Sequence, residues 1–389
     1  MRSEQRQFEN RDGLTLRANI DWPTGPHQAV ALFAHCFTCS RKFRATRTIS
    51  EALAKAGFVV CRFDFTGLGD SDGEFSETTF GSNVTDIVDA AHWLTTLGLP
   101  PSVLIGHSLG GTATVLASQH IESAVAVATI GSPATASHVA HLFDESAEEI
   151  ASSGQAEVTL AGRSFTIRKA FVDDLEQHPL HDALHALRKA LLILHSPVDE
   201  VVEIDNAQQL FVQALHPKSF VSLDKANHML SDPRDAAYAG QMLATWASRF
   251  LPEIEISDQG ISATTWAGSF TTAIESGRHR LIADEPASVG GADQGPTPVQ
   301  LLSISLASCT SMTLQMYARH KDIPAERVRV GIEQSSERID GETHTTFVRT
   351  ITIDGDIDDS VRERMMEIAD RCPVHRALHG TVTVVNSAG

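Results

Sequence analysis

"SVLIGHSLGGTATVL", residues 102–116, joins an apolar run to a helix-forming stretch through the motif GHSLG at 106–110. A sharp turn from a buried strand into a helix leaves no room for side chains two residues before and two residues after its centre. Glycine at 106 and at 110 meets that requirement and leaves Ser108 exposed at the amino end of the helix. The stretch therefore predicts a strand, a turn and a helix that together present a nucleophilic serine.

Short apolar runs rich in β-branched residues alternate with helical stretches up to about residue 250. Near-continuous apolar strands separated by helices indicate a parallel sheet covered on both faces, so we assign residues 1–250 to an α/β domain. The spacing is regular except at residues 132–188, an insertion that we interpret as a lid over an active site, with a surface excursion as the alternative. The predicted strands are AVALFAH (29–35), FVVCRFD (58–64), SVLIGHS (102–108), AVAVATIG (124–131), ALLILHS (190–196) and KSFVSLD (218–224).

Two later residues complete the chemistry that a nucleophilic serine needs. A serine hydroxyl requires a histidine that takes its proton and an acid that orients the histidine. In a sheet of this kind the acid and then the histidine follow on loops after later strands. Asp199 follows ALLILHS and His228 follows KSFVSLD, as that order requires. Asp224 is the alternative acid, but the acid conventionally follows the preceding strand, which favours Asp199.

An acyl enzyme also needs backbone N–H groups that stabilise the oxyanion. Leu109, directly after the serine, and Phe37, in the loop after the first apolar run, are the candidate donors. Cys36 and Cys39 flank Phe37. A zinc site would need further ligands and a redox pair usually sits at a helix start, so we expect both side chains to pack as small residues, with a metal site or a redox pair as alternatives.

These motifs resemble those of the α/β-hydrolase superfamily, in particular the small bacterial carboxylesterases related to cinnamoyl and feruloyl esterases. Such esterases commonly have a His-Gly-Phe-Thr loop and an aspartate-rich stretch like FDFTGLGDSDGEF at 63–75. This chain departs from them at Cys36 and Cys39, where small residues are common. The resemblance implies a serine hydrolase that acts on small-molecule carboxylic esters, and we expect no metal and no cofactor.

The pattern changes after LPEIEISDQG, and we place a linker at residues 251–258. Strands paired through short turns and accompanied by two helices then predict an α+β domain at residues 259–389. The expected elements are strands in ATTWAGSFTTAIES (263–276), RHRLIADEP (278–286), RVRVGIEQ (327–334), TTFVRTITIDG (345–355) and TVTVV (381–385), with helices at 298–320 and near 358–371.

The helix at 298–320 has a clear start signal. Thr297 and Gln300 form a capping box, and Pro298 suits the first helical position. Apolar and small residues occupy most of its surface, which predicts a helix that is buried nearly all round.

Cys309 lies in the middle of that helix, and Cys372 directly precedes Pro373, where it would cap a short helix beside Arg371. A helix start and a neighbouring cation both lower a thiol pKa, whereas a thiol in mid-helix needs a cation from elsewhere. A buried cysteine alone is usually inert, so the pair is what suggests chemistry. The candidate cations for Cys309 are Arg278, His279, Arg280 and Arg371.

The cysteine pair, the Pro-x-x-Leu-Leu entry to the helix and the strand order resemble the OsmC/Ohr family of thiol peroxidases over about residues 255–389. The resemblance implies that Cys309 attacks an organic hydroperoxide, that Cys372 resolves the sulfenic acid as a disulfide, and that a thiol reductant restores the pair. It also implies an intertwined homodimer. Val299 stands where better-studied members have a glutamate, and Ala267-Gly268-Ser269 stands near the place of an activating arginine.

The composition of the whole chain limits its partners. Its 389 residues include 31 basic and 49 acidic ones, and the formal charge of -18 argues against nucleic acid or an anionic membrane as a partner. The polar amino terminus and the lack of an apolar run of about 18 residues predict a cytoplasmic protein.

We therefore expect a carboxylesterase fused to a thiol peroxidase-like domain that makes the chain at least dimeric. The alternative is a single-activity esterase whose carboxy-terminal domain is a non-catalytic dimerisation or ligand-binding module.

Overall fold

The computed structural model describes residues 2–24, 27–36, 39–160, 163–252, 260–265, 270–277 and 279–386. The chain divides into two compact units, Met1–Ser257 and Asp258–Gly389. Each unit has hydrophobic clusters of its own, two in the first and one in the second. The two units are therefore separate domains.

Eight strands of the first unit form one sheet, and two strands of the insertion form a hairpin. The strands are β1 (Arg2–Glu9), β2 (Thr15–Trp22), β3 (Ala29–Ala34), β4 (Phe58–Phe63), β5 (Val103–His107), β6 (Ala126–Ile130), β7 (Gln155–Leu160), β8 (Arg163–Arg168), β9 (Ala190–His195) and β10 (Lys218–Ser222). The sheet order is β1-β2-β4-β3-β5-β6-β9-β10. β1 and β2 run antiparallel to their neighbours, and the strands from β4 to β10 in that order pair in parallel. The predicted α/β sheet is confirmed.

Every residue of the central strands is buried, because helices cover both faces of this sheet. One cluster packs the sheet against α1 and α8, and alternate strand residues face the other cluster under α2 and α3. The helices of the first unit are α1 (Arg44–Lys55), α2 (Phe80–Thr96), α3 (Leu109–Ala117), α4 (Ala147–Ser153), α5 (Lys169–Leu175), α6 (Leu180–Ala186), α7 (Asp205–Gln213) and α8 (Pro233–Ser248).

β1 and β2 were not expected from the sequence. β1 lies at the edge of the sheet, and Phe8 is its one fully buried residue. An edge strand that is exposed on most sides has no apolar run that would predict it.

The insertion between β6 and β9 contains α4, the β7–β8 hairpin, α5 and α6. Gly162, the predicted hairpin turn, lies outside the described residues. The ring centroid of Phe75 lies 5.6 Å from that of Phe165 and 5.8 Å from that of Phe171, so both rings of the insertion pack against it. The insertion therefore adds to the core of the first unit.

The second unit combines an antiparallel three-stranded sheet with a long hairpin and three helices. The sheet order is β11-β12-β13, and β14 pairs with β15. The elements are β11 (Ile261–Thr265), β12 (Thr272–Ser276), β13 (His279–Ala283), α9 (Pro298–His320), β14 (Arg327–Ile339), β15 (Glu342–Asp354), α10 (Asp359–Ala369) and α11 (Pro373–His379). Residues 381–386 form no strand, so the predicted strand TVTVV at 381–385 is wrong.

α9 begins at Pro298, as the capping box predicts. Thr297 Oγ1 accepts the N–H of Gln300 at 3.2 Å, and Gln300 Oε1 accepts the N–H of Thr297 at 2.9 Å. The prediction that α9 is buried nearly all round is wrong, because its neighbours within the chain cover one side of it. The buried residues of α9 are Leu306, Thr310, Leu314 and Ala318.

Among the described residues, no helix combines the length and the apolar character needed to cross a membrane.

Candidate functional site

Ser108 occupies a strained turn between β5 and α3. Its φ is 55° and its ψ is -131°, a backbone conformation that few residues other than glycine adopt. A Cβ on residue 106 would lie 2.4 Å from the carbonyl oxygen of Gly110, and a Cβ on residue 110 would lie 2.3 Å from the carbonyl oxygen of His35. Both positions therefore require glycine, as the sequence predicted.

The structure brings Ser108, His228 and Asp199 into one chain of hydrogen bonds. His228 Nε2 lies 3.0 Å from Ser108 Oγ, and His228 Nδ1 lies 2.8 Å from Asp199 Oδ2. All three side chains are buried. Asp199 accepts a hydrogen bond from the N–H at Nδ1, so the lone pair of Nε2 faces the serine hydroxyl, and His228 can take the proton of Ser108.

Asp199 is held in its ionised form. Its Oδ1 accepts the N–H groups of Val201 and Val202, both at 2.9 Å. Burial acts to raise the pKa of Asp199, but the hydrogen bond from His228 and these two N–H groups outweigh it, so the pKa lies below the usual 3.8. A carboxylate is the form that stabilises an imidazolium on His228.

Asp224, the alternative acid, does not reach the histidine. It is exposed, and its Oδ1 accepts the hydroxyl of Ser222 at 3.2 Å. The structure therefore places Asp199, and not Asp224, beside His228.

Two buried histidines that the sequence analysis did not single out support this site. His107 Nε2 donates to the carbonyl oxygen of His228 at 2.8 Å, and His195 Nε2 donates to that of Val202 at 2.7 Å. Burial, reinforced by the nearby charge of a protonated His228, lowers the pKa of His107 to about 3. Both rings fix the backbone of loops that carry the site, and the sequence holds no signal that separates them from other core histidines.

Of the two predicted oxyanion donors, the structure describes Leu109. Leu109 opens α3, so its N–H is one of the first-turn donors that have no acceptor within the helix. Phe37, the second predicted donor, lies outside the described residues. The residues that flank it, Cys36 and Cys39, are joined by a disulfide with Cα atoms 5.3 Å apart. The expectation that both side chains only pack as small residues is therefore wrong, since a disulfide joins them and their Cα atoms lie within disulfide range.

A buried ion pair anchors the far end of the same loop. Asp64 accepts the backbone N–H of Arg41 at 2.5 Å and also pairs with its guanidinium. Arg41 further donates to Asn19 at 2.9 Å and to Asp70 at 2.8 Å. The first aspartates of the FDFTGLGD stretch therefore position the loop that carries the predicted donor.

The two cysteines of the second unit are in contact. The Cys309 and Cys372 side chains hydrogen-bond to each other, and both are free thiols. Cys372 occupies the N-cap position of α11, as predicted, and is fully buried, whereas Cys309 is partly exposed. The structure therefore brings the predicted redox pair together.

The electrostatic surroundings of the two thiols differ. Burial raises the pKa of Cys309, and the contact with Cys372 raises it further. Burial also acts to raise the pKa of Cys372, but the hydrogen bond from Cys309 and the N–H groups of His375 and Val374 outweigh it and bring this pKa below 9.0. Cys372 is therefore the more acidic thiol.

Arg349, a cation that the sequence analysis missed, contacts Thr310, the residue directly after Cys309. Arg349 donates to the Thr310 hydroxyl at 3.3 Å and pairs with Asp370 at 2.5 Å. The Thr310 side chain in turn hydrogen-bonds to Cys372. Arg349, Ile351 and Ile353 occupy every second position of β15 and therefore lie on the same face of the strand. A charged residue on this otherwise apolar face was the signal in the sequence that could have pointed to Arg349.

None of the four predicted cations is shown beside Cys309 in the described part of the chain. Arg371 follows α10, but the acidity of Cys372 comes from Cys309 and from the start of α11. Arg278 and the Ala267-Gly268-Ser269 turn lie outside the described residues, as does the side chain of Arg280, and His279 is exposed. Val299, where a glutamate was expected, is 50% exposed in the first turn of α9.

Comparison with protein families accounts for both domains. Residues 31–241 match the model of the "Alpha/beta hydrolase family". The chain belongs to the α/β-hydrolase family. Residues 290–386 match the model "OsmC-like protein", so this α/β hydrolase is fused to an OsmC-like domain.

Known proteins similar to this α/β hydrolase include enzymes that act on esters and thioesters. The esterase domain of a Rhodothermus marinus protein is 44% identical, with a TM-score of 0.55 over 65% of this chain and all of that one. Est1E from Butyrivibrio proteoclasticus, solved with ferulic acid bound, shares the fold at 20% identity and a TM-score of 0.52, over 61% of this chain and 97% of that one. The mitochondrial palmitoyl-protein thioesterase ABHD10 of Mus musculus is 27% identical over 197 residues, 48% of this chain. The match spans 64% of that protein, less than two thirds of its length.

Proposed function

We propose that the amino-terminal domain hydrolyses carboxylic esters through an acyl enzyme on Ser108. The observation that carries the proposal is the buried chain of hydrogen bonds from Ser108 Oγ through His228 to Asp199. Similarity to an esterase domain at 44% identity supports it. The insertion at 132–188 would act as the lid that covers the bound ester.

The geometry supports a two-step reaction. His228 Nε2 takes the proton of Ser108 Oγ as the oxygen attacks the ester carbonyl, and the Leu109 N–H, with that of Phe37, stabilises the oxyanion. His228 then gives its proton to the departing alcohol, which leaves an acyl group on Ser108. Water attacks this acyl group with His228 again as the base, and the acid is released.

Thioesters are a second candidate substrate class, because the curated relatives are named as palmitoyl-protein thioesterases. Oxygen esters and thioesters would use the same acyl enzyme, and they differ in the leaving group alone. A parallel assay of p-nitrophenyl butyrate and butyryl-CoA would rank the two classes.

Replacement of the nucleophile tests this proposal. Ser108→Ala is expected to abolish hydrolysis of p-nitrophenyl butyrate, because no other hydroxyl is proposed to take its place. Ser123→Ala is the matched control, since Ser123 donates to the carbonyl oxygen of Pro101 and takes no part in the proposed reaction. Full activity in Ser108→Ala would overturn the assignment.

We infer that the OsmC-like domain is a thiol peroxidase. The contact between Cys309 and Cys372 carries the inference, and the partial exposure of Cys309 suits it to the first attack. The thiolate of Cys372, the more acidic thiol, takes the proton of Cys309 as the Cys309 sulfur attacks an organic hydroperoxide. This step yields a sulfenic acid on Cys309 and, after one proton is taken up, an alcohol. Cys372 then displaces water to form a disulfide, and two thiols of a reductant restore the pair.

A hydroperoxide assay separates this activity from a non-catalytic module. The intact chain should consume cumene hydroperoxide in the presence of a dithiol, and Cys309→Ser should consume it far more slowly. The Cys372→Ser chain should be oxidised once and accumulate the sulfenic acid, which a dimedone adduct would report. If Cys309→Ser consumes the peroxide as fast as the unmodified chain, the domain is a binding or dimerisation module.

The exposed side of α9 supports a dimer as a further part of the proposal. Several of its apolar side chains are between 49% and 73% exposed in the single chain. A second copy of the OsmC-like domain would cover them. Light scattering coupled to size-exclusion chromatography should give a mass of twice the 42.0 kDa of one chain. The exposed residues are Val299, Leu302, Ile304, Met312 and Met316.

A further inference from the structure

The Cys36–Cys39 disulfide closes a four-residue loop directly after β3. The N–H of Cys39 donates to the carbonyl oxygen of Cys36 at 3.0 Å, and both side chains are at least 95% buried. By sequence, the loop contains the predicted oxyanion donor Phe37. The proposed esterase reaction uses that N–H and gives the disulfide no role.

The loop begins against the helix that carries the first oxyanion donor. His35 Nδ1 donates to the carbonyl oxygen of Cys36 at 2.7 Å. The carbonyl oxygen of His35 would lie 2.3 Å from a Cβ on residue 110, so the backbone before the loop packs on the first turn of α3. Cys36 directly follows His35, the residue whose backbone packs against α3, so a shift of Cys36 would act on that contact.

The disulfide also lies beside the catalytic residues. The sulfurs of Cys36 and Cys39 and one ring nitrogen of His107 all lie within 4.8 Å of one another. His107 directly precedes Ser108, and its Nε2 donates to the backbone of His228. The two sulfurs thus lie within 4.8 Å of the ring that hydrogen-bonds to the backbone of His228.

We propose that Cys36 and Cys39 form a reversible redox switch that sets the esterase activity, with the disulfide form active. The proposal rests on the esterase function proposed for Ser108. A dithiol reductant transfers two electrons and two protons to the S–S bond, which gives two thiols and the disulfide of the reductant. In the reverse direction an organic hydroperoxide takes two electrons from the thiols, and the disulfide forms with release of an alcohol and water.

The direction of the effect follows from the conformational freedom of the loop. By sequence, the predicted donor Phe37 lies within the segment that the disulfide closes. The disulfide between Cys36 and Cys39 and the Arg41–Asp64 pair, two residues after Cys39, hold the chain at two points. Reduction removes one of these points. Loss of one oxyanion donor costs about 10² to 10³ in kcat, so partial loss of its placement should lower kcat at least about tenfold with little change in KM.

The test compares the full-length chain before and after treatment with dithiothreitol under anaerobic conditions, with EDTA present. Alkylation followed by mass spectrometry of the peptide with both cysteines measures how much disulfide has been reduced. The expected result is a fall in kcat for p-nitrophenyl butyrate in proportion to that reduction, and recovery when hydroperoxide restores the disulfide. The double variant C36S/C39S should have the lower kcat at the outset and should not respond to dithiothreitol.

Several results would overturn the switch. They are a disulfide that stays intact in the folded chain, a reduced form with unchanged kcat, and a response to dithiothreitol that persists in C36S/C39S. A loss of activity that appears only when Zn²⁺ replaces EDTA would instead assign Cys36, Cys39 and His107 to a metal site. Failure of the esterase proposal is seen separately, because Ser108→Ala would then retain activity in both redox states.

Discussion

Ser108, His228 and Asp199 come from three loops that are far apart in sequence and meet at the carboxyl ends of β5, β9 and β10. The 3.0 Å from His228 Nε2 to Ser108 Oγ suits a proton transfer. Asp199 hydrogen-bonds to His228 Nδ1 and remains ionised because of the hydrogen bonds that it accepts. The role of each group can therefore be tested one side chain at a time.

Asp199→Asn should retain the fold and lose most of the activity. An amide in place of the carboxylate no longer stabilises the imidazolium and favours the wrong tautomer of His228, so kcat should fall by about 10³ to 10⁴. Asp224→Asn, at the exposed alternative, should hydrolyse p-nitrophenyl butyrate at nearly the normal rate. A larger loss in Asp224→Asn than in Asp199→Asn would reverse the assignment of the acid.

The reduced thiol pair should titrate in two steps. Because the pKa of Cys372 lies below 9.0 and that of Cys309 above it, one thiolate should form below pH 9.0 and the second only above it. Below the first step both thiols are protonated. Thiolate absorbance near 240 nm should lose its lower step in Cys372→Ser and keep it in Cys309→Ser, which retains a hydroxyl donor. Persistence of the lower step in Cys372→Ser would show that the acidic thiol is another one.

At this scale the sequence predicted the groups that follow strand ends in a fixed order. It could not predict the Cys36–Cys39 bond or the contact of Arg349 with Thr310, because both depend on how the loop after β3 and the strand β15 are placed in space. The Cys36–Cys39 bond leaves no periodic signal in the chain, and Arg349 leaves only one charged position on an otherwise apolar face of β15, which does not show what it contacts.

Among the elements, the loop after β3 depends on a buried ion pair. Asp64→Ala would leave the Arg41 guanidinium buried without its main partner, and such a loss costs about 3 to 5 kcal/mol. Asp70→Ala removes a second partner of Arg41 that is 48% exposed, and should cost less than about 1 kcal/mol. Urea unfolding of both variants would measure the two free energies. Equal losses would mean that the Arg41–Asp64 pair does not anchor the loop.

Strand and helix predictions succeeded where burial imposes a pattern. Central strands are buried on both faces and read as apolar runs, and α9 begins where its capping box requires. The edge strand β1 was missed because only Phe8 is buried. The burial of α9 was overestimated because an apolar sequence does not show which neighbour covers each face.

For the whole molecule, the two domains should be separable. The first unit has its own core, and the similar esterase domain from Rhodothermus marinus was crystallised as a domain. A chain of residues 1–257 should therefore fold and hydrolyse p-nitrophenyl butyrate with a kcat close to that of the full chain. The fragment would be assayed beside the full chain and its Ser108→Ala form. A folded but inactive fragment would mean that the OsmC-like domain contributes to the esterase site.

The central claim is that Ser108 is the nucleophile of this α/β hydrolase, and a fluorophosphonate that modifies activated serines tests it most directly. Mass spectrometry of the labelled chain should find one adduct, on the peptide that carries Ser108, and esterase activity should fall in step with its formation. An adduct on another serine, or full activity in a chain completely labelled at Ser108, would contradict the account.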